Sequence, residues 1–166
     1  VAKNRNSSAV DILDVSNVSV TDCVFFKLPT RGIIVRADGV GNASDVSIKG
    51  CHFSECAATS VEVGSSDDLT YVRQVSITGC TFNSPPSPVD AQTRAIHVTH
   101  NSSDIAISSN GCSGVATEDY LSGWRDCFMI GVNAGVKQPR RVSITGNVIT
   151  GMADDGVGIS GAVDIT

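Results

Sequence analysis

Apolar residues in this chain alternate with small polar ones in short bursts, and one burst recurs. It reads Val18-Ser19-Val20-Thr21-Asp22-Cys23-Val24-Phe25, then Val46-Ser47-Ile48-Lys49-Gly50-Cys51-His52-Phe53, then Val75-Ser76-Ile77-Thr78-Gly79-Cys80-Thr81-Phe82. Looser copies follow at Ile105-Ala106-Ile107-Ser108-Ser109-Asn110-Gly111-Cys112 and Val142-Ser143-Ile144-Thr145-Gly146-Asn147-Val148-Ile149. Successive starts lie 28, 29, 30 and 37 residues apart. Alternation with a period of two predicts a strand with one buried face. Asp22, Gly50, Gly79, Ser109 and Gly146 then stand where a small or turn-tolerant residue suits a sharp, left-handed bend. Past the bend the side chains turn inward again. Two stacked rows follow: Cys23–Cys51–Cys80–Asn110–Asn147 and Phe25–Phe53–Phe82–Cys112–Ile149.

A shorter apolar signal sits between the copies. It is Ile33-Ile34-Val35, Val61-Glu62-Val63, Ile96-His97-Val98, Ile130-Gly131-Val132 and Val157-Gly158-Ile159, with Val10-Asp11-Ile12 as an earlier member. Each period thus holds two strand signals separated by turns. One such strand buries too little surface to be stable alone. Stacking like on like, at about 4.8 Å, lets every coil cover its neighbour. The prediction is an all-β, single-stranded parallel β-helix of about five coils, roughly 28–37 residues each, without evident end caps. Leucine-rich repeats, propellers and immunoglobulin-type sandwiches fit this phrase and period less well.

The length of 166 residues suits a single domain spanning 1–166. Two insertions interrupt the period, at 83–94, with Pro85, Pro86 and Pro88, and at 113–127. The first residue is not Met, and Ala162-Val163-Asp164-Ile165-Thr166 reads like the start of another strand. The expectation is a piece of a longer chain, or a partner over its end. A formal charge of −5 argues against nucleic acid and against a polybasic membrane surface. No apolar run approaches the ~18 residues of a spanning helix. The six cysteines are expected to be reduced, small core residues rather than a disulfide framework, which fits assembly in a cytosol. No C-x-x-C pair exists, and no metal or cofactor is expected.

The V-S-I-T-G-C/N-x-F phrase resembles the right-handed parallel β-helix of the pectin-lyase-like superfamily, over roughly residues 9 to 165. That superfamily includes pectate lyases, polygalacturonases, polysaccharide epimerases and bacteriophage tailspike shafts. The resemblance implies a right-handed coil and a lateral groove that holds glycan.

Glycan cleavage calls for two carboxylates about 5–10 Å apart. Asp154-Asp155 is the best acidic pair and is similar to an element of polygalacturonases. The Asn-Thr-Asp, Gly-His-Gly and Arg-Ile-Lys motifs of those enzymes are absent, and Asp154-Asp155-Gly156 also reads as a plain turn. Asp67-Asp68 lies in a polar loop. Glu62 and His97 face outward on equivalent strands, with Arg94 near, and form a candidate glycan surface beside the plainer reading of solvated side chains. Trp124, with Tyr120 in the same insertion, can stack on a sugar, anchor the loop or sit in a subunit interface.

Two functions are carried forward. The first is a virion protein: part of a phage tailspike, fibre or capsid-surface appendage, homotrimeric, with bacterial surface polysaccharide as partner. The second is a polysaccharide hydrolase or lyase using Asp154 and Asp155. A secreted adhesin is the alternative setting.

Overall fold

The computed structural model describes residues 8–83, 94–114, 126–131, 137–152 and 155–166. All regular structure among them is β. The first coil holds β1 (Ser8–Leu13), β2 (Ser16–Thr21) and β3 (Val24–Phe26). The second holds β4 (Arg31–Ala37), β5 (Ala43–Lys49) and β6 (His52–Ser54). The third holds β7 (Val61–Ser65), β8 (Val72–Thr78) and β9 (Thr81–Asn83). The fourth holds β10 (Arg94–Val98), β11 (Ser102–Ser108) and β12 (Gly111–Ser113). The fifth holds β13 (Asp126–Gly131), β14 (Arg140–Thr145) and β15 (Val148–Thr150), and β16 (Val157–Ser160) and β17 (Val163–Ile165) follow.

Every third strand pairs with the next, so the chain winds through three parallel sheets. Their orders are β1-β4-β7-β10-β13-β16, β2-β5-β8-β11-β14-β17 and β3-β6-β9-β12-β15. This is the expected parallel β-helix. The repeated phrase supplies the second and third sheets, and the shorter signal supplies the first.

Like stacks on like. Val46, Val75, Ile105 and Val142 are partners along one row, and Ile48, Ile77, Ile107 and Ile144 along the next. Phe25, Phe53 and Phe82 share a column of near-parallel rings, with centroids 4.6 and 4.9 Å apart. The rings follow the strand spacing, so each covers the next. Gly32 makes room for this column: a Cβ there would sit 2.9 Å from the Phe53 ring.

The bend between the second and third sheets is left-handed in every coil. Asp22, Gly50, Gly79, Ser109 and Gly146 have φ of 53°, 63°, 63°, 56° and 62°. A second left-handed row has no glycine at all. Asn17, Asp45, Gln74, Asp104, Arg141 and Asp164, each just before the first apolar residue of its phrase, have φ between 50° and 61°. Asn and Asp tolerate this region through local hydrogen bonding. Gln74 and Arg141 have no such excuse and are held there by the stack.

The cysteine row is functional packing of a particular kind. From the second coil on, each row residue reaches back one coil to a main-chain carbonyl, while the Cys23 thiol meets Thr21 O of its own coil. The Cys51 thiol approaches Val20 O at 3.5 Å and the Cys80 thiol approaches Ile48 O at 3.8 Å. Asn110 Nδ2 donates to Ile77 O at 3.0 Å and Asn147 Nδ2 to Ile107 O at 2.9 Å. The row accepts as well. Cys80 N–H donates to Asn110 Oδ1 and Asn110 N–H to Asn147 Oδ1, both at 2.9 Å. Burial pushes the Cys80 thiol up to about 11, so it stays protonated and able to donate.

Three expectations need correction. Cys112 and Cys127 are joined in a disulfide. Cys112 stands in the phenylalanine column rather than the cysteine row, so its sulfur faces the start of β13 and not another thiol of its own row. Cys23 is exposed, unlike Cys51 and Cys80, and among the described residues only the second coil lies against it. In the first sheet, Phe128-Met129-Ile130 and not Ile130-Gly131-Val132 pairs with Ile96-His97-Val98. The shift of two residues keeps the inward parity and buries Phe128 completely.

Candidate functional site

One row on the outer face of the first sheet holds Asp11, Ile34, Glu62, His97, Met129 and Gly158, which are partners in register. Glu62 points out because Val61 and Val63 on either side are fully buried. The heads of the same strands add charge. Arg31, which opens β4, places Nε 2.7 Å from Glu62 Oε2. Arg94, which opens β10, lies opposite Asp126 with Nε 3.4 Å from its Oδ2. Two arginine–carboxylate pairs therefore flank one imidazole. Gly158 leaves space in front of Asp126: a Cβ there would lie 3.5 Å from Asp126 Oδ1.

His97 is the most perturbed group on this face. Burial, and then the neighbouring Arg94 cation, push its pKa down to about 4, against a hydrogen bond to the Gly131 backbone and beside Arg31 and His100. The imidazole is thus neutral at pH 7. The unfolded chain protonates the same histidine near 6.5. Between pH 6.5 and 4 the unfolded state holds a proton that the folded state does not, so stability falls as the pH is lowered through that window. The expected loss from pH 7 to pH 5 is about 2 kcal/mol. Urea titrations at the two pH values check this. His97→Gln should abolish most of the difference, and an equal drop in wild type and variant would refute it. Asp104 and Asp67 act lower down. Hydrogen bonds from Arg141 and from Thr70, respectively, hold their carboxyls below the usual range.

Residues 1–112 of the 166 match the family model described as the right handed beta helix region. The chain belongs to the right-handed β-helix family. No curated protein and no solved structure matches it. The matched part of this right-handed β-helix runs into β12 and takes in Arg31, Glu62, Arg94 and His97.

Of the residues singled out in the sequence, the right-handed β-helix brings Glu62, His97 and Arg94 onto one face. Asp155 is exposed at the entry to β16, where its carbonyl accepts from Cys127 N–H at 3.2 Å. Asp154, Tyr120 and Trp124, like the prolines at 85, 86 and 88, lie outside the described residues. Asp67 is committed to its own loop, its Oδ1 accepting from Leu69 N, Thr70 N and Thr70 Oγ1 at 2.8–2.9 Å.

Sequence reasoning missed Arg31 and Asp126. A signal was there: Arg31, Arg94 and Asp126 each stand two residues before an inward apolar residue, Ile33, Ile96 and Phe128. Taking Ile130 as the first core position of β13 leaves Asp126 in the insertion and hides it.

Proposed function

We propose that this right-handed β-helix recognises bacterial surface polysaccharide along the outer face of its first sheet, across Glu62, His97, Arg94 and Asp126. The observation that carries the reading is the paired array itself: two arginine–carboxylate pairs and a neutral imidazole on successive coils. Sugars present hydroxyls that donate and accept together. A carboxylate already fixed by a guanidinium group keeps lone pairs for the hydroxyl donors of such a partner. An extended glycan meets a new coil about every 4.8 Å. In this reading Trp124 and Tyr120 add aromatic platforms, in keeping with the resemblance to pectin-lyase-like proteins. The setting is a homotrimeric phage tailspike, fibre or capsid-surface appendage, or a secreted protein. Both put the groove outside a cell. The Cys112–Cys127 disulfide supports oxidising surroundings and so favours the secreted setting.

A second reading, glycan hydrolysis, rests on the two carboxylates of this array, Glu62 and the buried Asp126, whose strands are two steps apart in the sheet and whose positions are offset by three residues along it. One carboxylic acid would protonate the leaving glycosidic oxygen, and the other carboxylate would take a proton from the attacking water.

Binding to a panel of capsule and O-antigen glycans tests the first reading, with a reducing-end assay beside it. One glycan should bind, and Glu62→Gln should weaken it about tenfold, near 1.4 kcal/mol. A panel without a binder, or a binder indifferent to Glu62→Gln and Arg94→Gln, would overturn it. New reducing ends that vanish with Asp126→Asn would establish hydrolysis.

A further inference from the structure

The outer face of the second sheet carries a separate cluster of cations. Arg73 on β8, Ser103 on β11 and Arg140 on β14 are partners in one outward row. Around them lies an open depression of about 390 Å³, whose rim includes Tyr71, Lys137 and Arg141. That volume falls in the usual range of ~300–1,000 Å³ for ligand sites.

The charges in this depression are not equivalent. Arg141 makes two bonds to the Asp104 carboxylate, at 2.6 and 2.8 Å, and also feels Asp164. Lys137 is tied to Asp68, through Nζ to its carbonyl at 2.5 Å and through its own N–H to the carboxylate at 3.0 Å. Arg73 and Arg140 differ: both are exposed and, among the described residues, neither is hydrogen-bonded to a carboxylate, though Arg73 is near enough to Asp104 to add to the pull of Arg141 on it. Arg73 is nevertheless held in place, with its guanidinium 5.0 Å from the centre of the Tyr71 ring. Ser103, small and between them, leaves the path from one arginine to the other clear. The two side chains rise from strands about 9.6 Å apart, along the axis of the coil stack.

An exposed guanidinium with no carboxylate bonded to it, in a protein of net charge −5, is an unusual use of positive charge. Its fork matches planar or tetrahedral oxyanions and serves them better than it serves hydroxyls. Two forks in one row, with an obstacle-free gap, fit a linear polymer with anionic groups at intervals. Duplex DNA fits less well, because Asp104 lines the same depression and the basic stripe is only two arginines long.

We propose that the row Arg73–Ser103–Arg140, with Tyr71 behind it, is a second binding site, for an acidic glycan whose sugar rings carry carboxylate or sulfate. It does not rest on the glycan reading of the first sheet, and either can fail alone.

The test uses three polymers with one backbone: dextran, carboxymethyl-dextran and dextran sulfate, with the full chain titrated calorimetrically at low and at physiological salt. One or both charged polymers should bind, weakening as salt rises, while dextran does not. Arg73→Ala and Arg140→Ala should each cost about tenfold in Kd, the size of one charge-assisted hydrogen bond. Arg140→Lys should fall between Ala and wild type. Lys49→Ala, which removes an exposed cation elsewhere, should leave binding unchanged, and circular dichroism shows that each variant is folded. The choice between the two charged polymers tells carboxylate from sulfate. Equal binding of dextran, no binding of either charged polymer, or binding untouched by the double substitution would overturn the site. Tighter binding of duplex DNA than of either charged polymer would overturn the glycan assignment.

Discussion

Phe53→Ala is expected to cost about 3–5 kcal/mol in unfolding free energy, a large part of what a domain of this kind has to spare. The ring is completely buried and has an aromatic neighbour on both sides, Phe25 and Phe82, each nearly parallel to it. Truncation removes the transfer free energy of the ring and leaves a cavity in the middle of a column. The column cannot collapse, because strand pairing at about 4.8 Å fixes the heights of the coils. Phe25→Ala should cost less, since Phe25 is stacked on one described ring, Phe53. Phe53→Leu, which keeps most of the volume, should cost less than half as much as the alanine variant. Urea unfolding, with the m-value compared between variants, checks the series. A loss near 1 kcal/mol for Phe53→Ala, or a larger one for Phe25→Ala, would mean that the column is not what holds the coils.

The repeat made most of this fold legible before any coordinates. Val18, Val46, Val75, Ile105 and Val142 are partners because a strand has one repeating geometry, and identical phrases bury their apolar faces best when stacked in register. The left-handed bend could be read because Gly appears in it three times. The second left-handed row could not. Its residues, from Asn17 to Asp164, include Gln74 and Arg141, and no single-residue preference marks those two. The strand partners impose that conformation, and it becomes visible only when several coils are seen together. Tertiary control also explains the misaligned β13. Ile130 is apolar and Gly131 ordinary in sequence, but Phe128 is the larger residue to bury and takes the core position. The site followed the same division. Glu62 and His97 were found by parity alone. Arg31 and Asp126 sit at strand heads, where parity no longer dictates direction, and they matter because of the partners that the fold brings to them. The disulfide escaped for a related reason: equivalence within the repeat argued about cysteines of one row, and Cys112 and Cys127 belong to different rows.

The same row logic yields a second large effect, at Asn110. This residue is 2% exposed and serves three coils at once. It accepts from Cys80 N–H, donates to Ile77 O, and its amide group also donates to Asn147 Oδ1 at 3.0 Å. Asn110→Ala leaves a buried N–H and a buried carbonyl without their partners, at about 1–3 kcal/mol for each group. The expected loss is about 2–6 kcal/mol for the two groups together. Asn110→Cys separates this cause from simple loss of volume. A thiol at the same row position keeps the reach across to the neighbouring coil, as Cys80 Sγ does to Ile48 O at 3.8 Å. Cysteine at 110 should therefore recover at least half of the stability lost in the alanine variant, though sulfur bonds are weaker and longer. If alanine and cysteine prove equally damaging, the row is held by shape rather than by hydrogen bonding. If cysteine restores stability, the occurrence of both Cys and Asn in one repeat position has a single cause. Each coil needs, at this corner, one small side chain that can both give and take a hydrogen bond across to its neighbour.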